Sequence, residues 1–220
     1  MSDFSLWDIF RNLLLALRWT VGLSLIAFVG GGIVGGFLLV LRLSPRRWLR
    51  LLVSLYVNLF QGTPLLMQLF LTYFGLALFG LNTTPLVAAS VCLTLYASAY
   101  LTEIWRGSVE SIPRQQWEAS ASLALSFSEQ LRYVILPQSL RVALAPTVGF
   151  MVQAIKATAL ASVIGFVELT RSGQIIANAT FSPFLVYGSV AVLYFILCFP
   201  LSWWSRHLEQ QLTQGADRHD

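Results

Sequence analysis

Long uncharged runs dominate the order of polar and apolar positions along this chain. Trp19 to Leu41 carries no charged residue, and Leu51 to Thr102 extends for 52 residues without one. A helix crossing about 30 Å of hydrocarbon at about 1.5 Å per residue needs about 20 mostly apolar residues. The first run holds one crossing and the second holds two, with GLNTTP (Gly80 to Pro85) as the turn between them. Arg141 to Glu168 holds a fourth, interrupted by Lys156, and Pro183 to Ser205 holds a fifth. Helices satisfy their backbone polar groups internally, and barrel-type alternation is missing. The expected fold is therefore an all-α integral membrane protein with about five transmembrane helices, over about 17–41, 52–79, 85–105, 142–166 and 184–205.

Residues 1–14 mix Asp3, Asp8 and Arg11 with Phe4, Trp7, Ile9, Phe10 and Leu13. This spacing fits an amphipathic helix lying in the interface, and it fits the slightly polar start of the first span equally well. A cleaved signal peptide fits poorly, because no basic segment comes first and the apolar stretch is too long.

Composition excludes the soluble alternatives. Among 220 residues 56% are hydrophobic and 11% charged, with a mean hydropathy of +0.70, whereas soluble domains carry about 25% charge. The pI near 9.4 raises the question of nucleic acid. The basic residues sit beside apolar runs, however, and not on a polar face, so a lipid bilayer explains them and no nucleic-acid partner is expected. Their distribution predicts orientation, because Lys and Arg in short loops stay on the cytoplasmic side. With the amino terminus outside, Arg42, Arg46, Arg47, Arg50, Arg106, Arg114, Arg132, Arg141, Arg206 and Arg218 fall inside. Arg11, Arg18 and Arg171 fall outside. The carboxyl terminus, with the tail 209–220, is then cytoplasmic.

The chain offers no chemistry of its own. Cys92 and Cys198 lack neighbours at metal-ligand spacing and read as small packing residues. His207 and His219 belong to the tail. Glycines at 30, 31, 32, 35 and 36 form small-xxx-small steps that allow close helix approach.

The segment 107–138 between the third and fourth spans is too structured for a linker. Pro113 suits a first helical position, and RQQWEASASL follows it. Ser126 to Glu129 has the S-x-x-E form of a capping box that starts a second short helix, which Pro137 is expected to stop. Two readings of this hairpin stand level on composition: a stiff lever that carries motion from a soluble partner, or an inert hairpin.

YLTEIWRGSVESIPRQQWEASASLALSFSEQLRYVILPQSLRVALAP, with QGTPLLMQLFLTYFGL upstream and SVIGFVELT downstream, resembles the permease subunits of ATP-binding-cassette importers for polar amino acids, the histidine and glutamine permease type. The likeness runs over about residues 15–208, which would form a type-1 transmembrane domain. Its signature is the EAA loop, E-A-A, three residues, Gly, nine residues, I-x-L-P. Here Glu118, Ala119 and Ser120 stand for the triplet, Ala124 for the glycine, and Val134, Leu136 and Pro137 for the end. The resemblance implies that Glu118, Ala119, Ser120, Ala124, Leu136 and Pro137 couple the spans to an ATPase. Ala124 departs from the family glycine at a place where a left-handed residue commonly ends a helix, a conformation that costs alanine on the order of 1 kcal/mol.

The resemblance further implies no cofactor bound by this chain, with ATP and Mg held by a partner ATPase dimer. It implies a second permease subunit, the same or homologous, because five spans are too few to enclose a gated path. It implies an extracytoplasmic substrate-binding protein and a bacterial inner-membrane location. A self-sufficient secondary transporter is the alternative from another class, and an importer of amino-acid-derived solutes such as opines is a nearer one. An odd span number and few intramembrane charges disfavour the former, and an integral membrane enzyme would need clustered acids, histidines or nucleophiles.

Ionisable groups at membrane depth usually face protein or an aqueous cavity. Lys156 and Glu103 qualify. Tyr96, Tyr100 and Glu103 share one helical face, as do Gly149, Gln153, Lys156 and Leu160, while Gln61, Leu65, Gln68 and Thr72 share a third beside Gly62-Thr63-Pro64. Lys156, Gln153, Gln61, Thr63, Gln68, Thr72, Tyr100 and Glu103 are accordingly the candidates for a substrate path. The competing reading pairs the charges with protein groups and uses the glutamines to join helices. Related permeases often carry Arg where Gln61 stands and Asp where Ala157 stands, so their substrate choice does not transfer.

Overall fold

In the computed structural model, which describes residues 5–216, helices α1 (Leu6–Arg42), α4 (Pro85–Glu110), α7 (Leu136–Ala157) and α9 (Pro183–Ala216) build the bundle. Four helical stretches among the described residues, led by these helices, are long and apolar enough to cross a membrane. Shorter helices connect them: α2 (Arg47–Gly62), α3 (Leu65–Leu78), α5 (Arg114–Ser122), α6 (Phe127–Glu129) and α8 (Leu169–Thr180).

Several expected boundaries move. No break falls at residue 14: Ser5 caps α1 through a capping box with Asp8, and the helix continues for 37 residues. That is about 55 Å, well beyond the hydrocarbon thickness. Ile9 and Leu13 are buried in a cluster with Leu169, Ile176, Val186 and Val190, so α8 and α9 fix the start of α1. The expectation for residues 1–4 lies outside the described residues, as do those for Arg218 and His219.

The expected second span, 52–79, is two helices. Proline pushes the preceding residue out of the helical region and brings no N–H of its own, and Thr63 adopts φ −117° and ψ 145°. Pro64 becomes the cap of α3. Neither part is long enough alone, since 14 residues of α3 rise only about 21 Å.

Pro137 does not stop a helix. The chain runs from α6 through a π-helical segment, Gln130–Ile135, straight into α7, where the proline occupies the first turn. The wider π turn shifts the hydrogen-bond register just where proline offers no donor, so the fourth span begins at Leu136 and not near 142. It ends through a 3₁₀ segment, Thr158–Ile164, at Gly165, whose φ of 89° suits glycine. The last helix likewise outruns its expected end at 205, passing Pro200 and taking in residues 209–216 of the expected tail.

Helix α4 is the hub, packing on α1, α2, α3 and α7. Its inner face is mostly small: Ala88, Ala89, Cys92, Ala97, Ser98 and Ala99 are all buried. Between apolar helices in lipid, close packing replaces the hydrophobic effect as the main attraction. A Cβ on Gly31 would stand 2.5 Å from Ala97 Cβ, and one on Gly35 would stand 3.0 Å from the Ser98 carbonyl oxygen. Thr102 Oγ1 donates to that helix's Gly35 carbonyl at 3.2 Å across the same contact.

This contact predicts a position-specific penalty. Gly31→Val should destabilise the folded protein in detergent by about 1–3 kcal/mol, as overpacking does. Gly22→Val, where nothing lies within 4 Å of an added Cβ, should leave the thermal midpoint nearly unchanged. Equal midpoints for the two variants would remove the close α1–α4 contact as the organising feature.

Candidate functional site

The segment 107–138 folds as a compact unit against the ends of α4 and α7. Val109, Ile112 and Ile135 are buried together, with Leu43, Trp117, Leu131, Val134 and Val142 packed around them. Trp117 of α5 stacks on Phe127 of α6, ring centroids 6.0 Å apart. The Ser126–Glu129 capping box forms as its sequence spacing predicts, the Glu129 carboxylate accepting from the Ser126 amide at 2.8 Å and from its hydroxyl at 2.6 Å. Gln138 Nε2 donates to the Val134 carbonyl at 2.9 Å.

Ala124 has φ 58°, so it takes the left-handed conformation that the turn needs despite its Cβ. Glu118 and Ala119 are exposed on α5, while Ser120 is buried and its hydroxyl donates to the Trp117 carbonyl at 2.8 Å. Leu136 and Pro137 do not join them. They line a groove of about 540 Å³ with Leu39, Trp105, Arg132 and Leu140.

The eight path candidates do not converge on one cavity. Gln68 Nε2 reaches the Phe60 carbonyl at 2.8 Å and Thr63 Oγ1 at 2.8 Å, and Thr63 Oγ1 itself donates to the Leu59 carbonyl at 2.7 Å. Thr72 donates to the Gln68 carbonyl at 2.8 Å. Gln68 Nε2 and Thr63 close the α2–α3 break, Thr72 bonds one turn back within α3, and Gln61 is exposed just before the break. Glu103 is bound by Arg106, which also holds Glu110. Tyr100 stacks on Phe150, 5.5 Å between centroids, and Gln153 Nε2 donates to Tyr96 Oη at 3.0 Å, which joins α4 to α7.

Lys156 stands apart from that cluster. It is exposed in a groove of about 550 Å³ between α7 and α9, with Tyr194, Phe195, Cys198, Ser202 and Arg206 along its walls. The shared face of Gly149, Gln153, Lys156 and Leu160 is divided among neighbours. Gly149 faces Ser205 of α9, and Leu160, turned by the 3₁₀ segment, packs with Leu69, Cys92 and Phe166.

Glu168 was not among the candidates, yet it is fully buried. It caps α8, accepting from the amides of Thr170 and Arg171 at 2.9 Å each and from Tyr194 Oη at 3.0 Å. Thr20 of α1 donates to the same carboxylate at 3.3 Å and accepts from the Leu169 amide at 3.1 Å. A carboxylate is favoured by the partial positive charge of a helix start, and the acidic residue before LTRSGQ is the signal that could have marked it. Among the described residues no group of His, Cys, Asp and Glu could hold a metal ion.

Comparison with known proteins gives this architecture its relatives. The L-cystine transport system permease protein TcyB of Bacillus subtilis is 35% identical over 211 residues, covering 96% of this chain and 89% of the relative. The glutamine transport system permease protein GlnP of Escherichia coli is 36% identical over 211 residues, covering 94% and 96%. A chain from the crystal structure of an amino acid ABC transporter with histidines superposes with a TM-score of 0.89 at 31% identity, covering 96% of this chain and 99% of that one. The family model for the binding-protein-dependent transport system inner membrane component matches residues 31–214, and the chain belongs to that family.

Proposed function

We propose that this chain is the membrane-spanning subunit of an importer for a polar amino acid, pairing with a second permease subunit of the same or a similar kind. Two ATPase subunits in the cytoplasm bind ATP and Mg and supply the energy, and an extracytoplasmic binding protein delivers the solute. The relatives support the substrate class, since their names describe cystine and glutamine permeases. The amino terminus faces outward and the carboxyl terminus inward, which places Arg42, Arg46, Arg47, Arg50, Arg114, Arg132 and Arg206 on the cytoplasmic side.

The observation that carries the coupling role is the packing of the loop on two spans at once. A push on α5 reaches α4 through Val109 and Ile112, and α7 through Ile135 and the unbroken helix beyond it. Glu118 and Ala119 present the contact surface to the ATPase, with Ser120 locking α5 from beneath. Ala124 sets the angle between α5 and α6. Leu136 and Pro137 act at the root of the lever, where the loop enters α7. Within the membrane, Lys156 meets the carboxylate of the solute in the α7–α9 groove; it is an exposed cation at membrane depth whose groove is lined by no acid.

Two outcomes follow. Glu118→Lys should weaken co-purification with the ATPase or uncouple ATP hydrolysis from uptake while leaving membrane insertion intact; unchanged uptake would set the lever aside. Ala124→Gly relieves the left-handed strain but frees the unfolded chain, so the loop should gain at most about 1 kcal/mol. Amide exchange of residues 123–126 should slow by up to about fivefold, and faster exchange would contradict the strained turn.

A further inference from the structure

Two cavities on this molecule share one wall. Tyr187, Ala191, Phe195, Cys198, Ser202 and Arg206 recur along α9 at i, i+4, i+8, i+11, i+15 and i+19, a single helical face. The lower members line the groove that contains Lys156. Tyr187 at the top lines a second cavity of about 370 Å³, together with Ser162, Thr170, Arg171 and Gln174. From Tyr187 to Arg206 this face rises about 28 Å, close to the thickness of the hydrocarbon layer.

From Tyr187 to Arg206 the charge along the face and its cavities has one sign, and Glu209, on the same face, comes one turn beyond the groove. Arg171 stands at the outer cavity, its guanidinium held by Gln174 Oε1 at 2.6 Å. Lys156 stands beside Cys198 in the middle and Arg206 at the inner end. No Asp or Glu lines either cavity. The nearby Glu168 carboxylate is turned inward, onto two backbone amides and the hydroxyls of Tyr194 and Thr20. Between the cations lie a hydroxyl, Ser202, and the rings of Tyr187, Tyr194, Phe195 and Phe199, whose faces attract an ammonium group.

We infer that this face of α9 is the conduit for the carboxylate end of an α-amino acid, with Arg171, Lys156 and Arg206 as successive outer, middle and inner stations. The inference rests on Lys156 meeting the solute, as proposed above, and adds two stations and a route. Levels 11 and 8 residues apart on α9 are separated by about 16 Å and 12 Å. The three cations are therefore separate stops, each reached in a different access state, and not one binding site.

Thiol chemistry tests the route without knowledge of the solute. In the assembled importer in lipid nanodiscs, with Cys92→Ser and Cys198→Ser, a cysteine is placed by Tyr187→Cys or by Ser202→Cys. Each is treated with the anionic 2-sulfonatoethyl methanethiosulfonate and the cationic 2-(trimethylammonio)ethyl methanethiosulfonate. With each rate taken relative to that reagent's rate with a free small thiol, the anionic reagent should react about tenfold faster at both positions. Arg171→Gln should erase that preference at 187, and Lys156→Gln with Arg206→Gln should erase it at 202. Equal rates, a cationic preference, or no reaction at either cysteine overturns the conduit.

Uptake separates this result from the reading beneath it. Arg171→Gln and Arg206→Gln should each slow uptake about tenfold, with Arg→Lys restoring most of it. Loss of uptake in Lys156→Gln without any anionic preference rejects the conduit and leaves Lys156 as an isolated solute contact. Normal uptake in Lys156→Gln rejects both.

Discussion

A backbone amide or carbonyl left unpaired in hydrocarbon costs several kcal/mol, and the irregular parts of this bundle are arranged around that penalty. Where α2 stops at Gly62, the side chains of Thr63 and Gln68 take up the carbonyls of Leu59 and Phe60. Where α8 begins, Glu168 and Thr20 take up the amides of Leu169, Thr170 and Arg171. The 3₁₀ segment at the end of α7 closes on Gly165, whose amide donates to the Ser162 carbonyl at 3.1 Å. Polar side chains at membrane depth are thus drawn first into backbone repair, and those left over are available to a solute.

That order of demand explains which candidates were legible before the fold was seen. Gln68, Thr63 and Thr72 form a polar stripe beside a helix break, and spacing alone does not distinguish a lining stripe from a repair patch. Their hydrogen bonds put Thr63 and the amide nitrogen of Gln68 at the break, while Thr72 bonds within α3 and Gln68 Oε1 is left without a partner. Lys156 could be read as exceptional from sequence because a cation in an apolar run has few acceptable surroundings. Its neighbours could not, since the groove depends on how α9 crosses α7 35 to 50 residues later in the chain. Glu168 looked like the flank of a span, and only the turn of the chain after Gly165 reveals it as a buried cap.

Local rules did well where the answer was local. The capping box at Ser126 and Glu129 needs only residues three apart, and it forms; at Ala124 the sequence leaves open whether alanine takes the left-handed conformation or the turn differs, and the fold has it left-handed. Pro137 was misread for an instructive reason. The rule that proline ends a helix counts the lost hydrogen bond and the clash with the preceding turn, but a π-helical segment before it changes which carbonyl would have been the partner. The sequence Gln130–Ile135 gives no sign of that register shift, because it is set by the packing of Leu131, Val134 and Ile135 on α4 and α5. The same packing makes the loop and α7 one continuous body.

Continuity of α7 then relates the two ends of the molecule. From Leu136 to Lys156 the helix rises about 30 Å, with Pro146 as its one internal proline. Next to that proline, Ser205 of α9 donates to the Ala145 carbonyl at 2.8 Å, and Gly149 leaves room for the same serine. Prolines are where helices bend, and this one lies beside a bond to α9, which also packs on α7 further along, through Val152, Ile155 and Cys198. Beyond the proline, α7 is held on two sides, by α9 through that cluster and by α4 through the bond from Gln153 to Tyr96. Lys156 follows Ile155 of that cluster directly, and Arg206 follows Ser205. Both cations of the groove are thus borne by the residues next to the α7–α9 contacts, so the packing of these two helices on each other sets the width of the groove that the cations line.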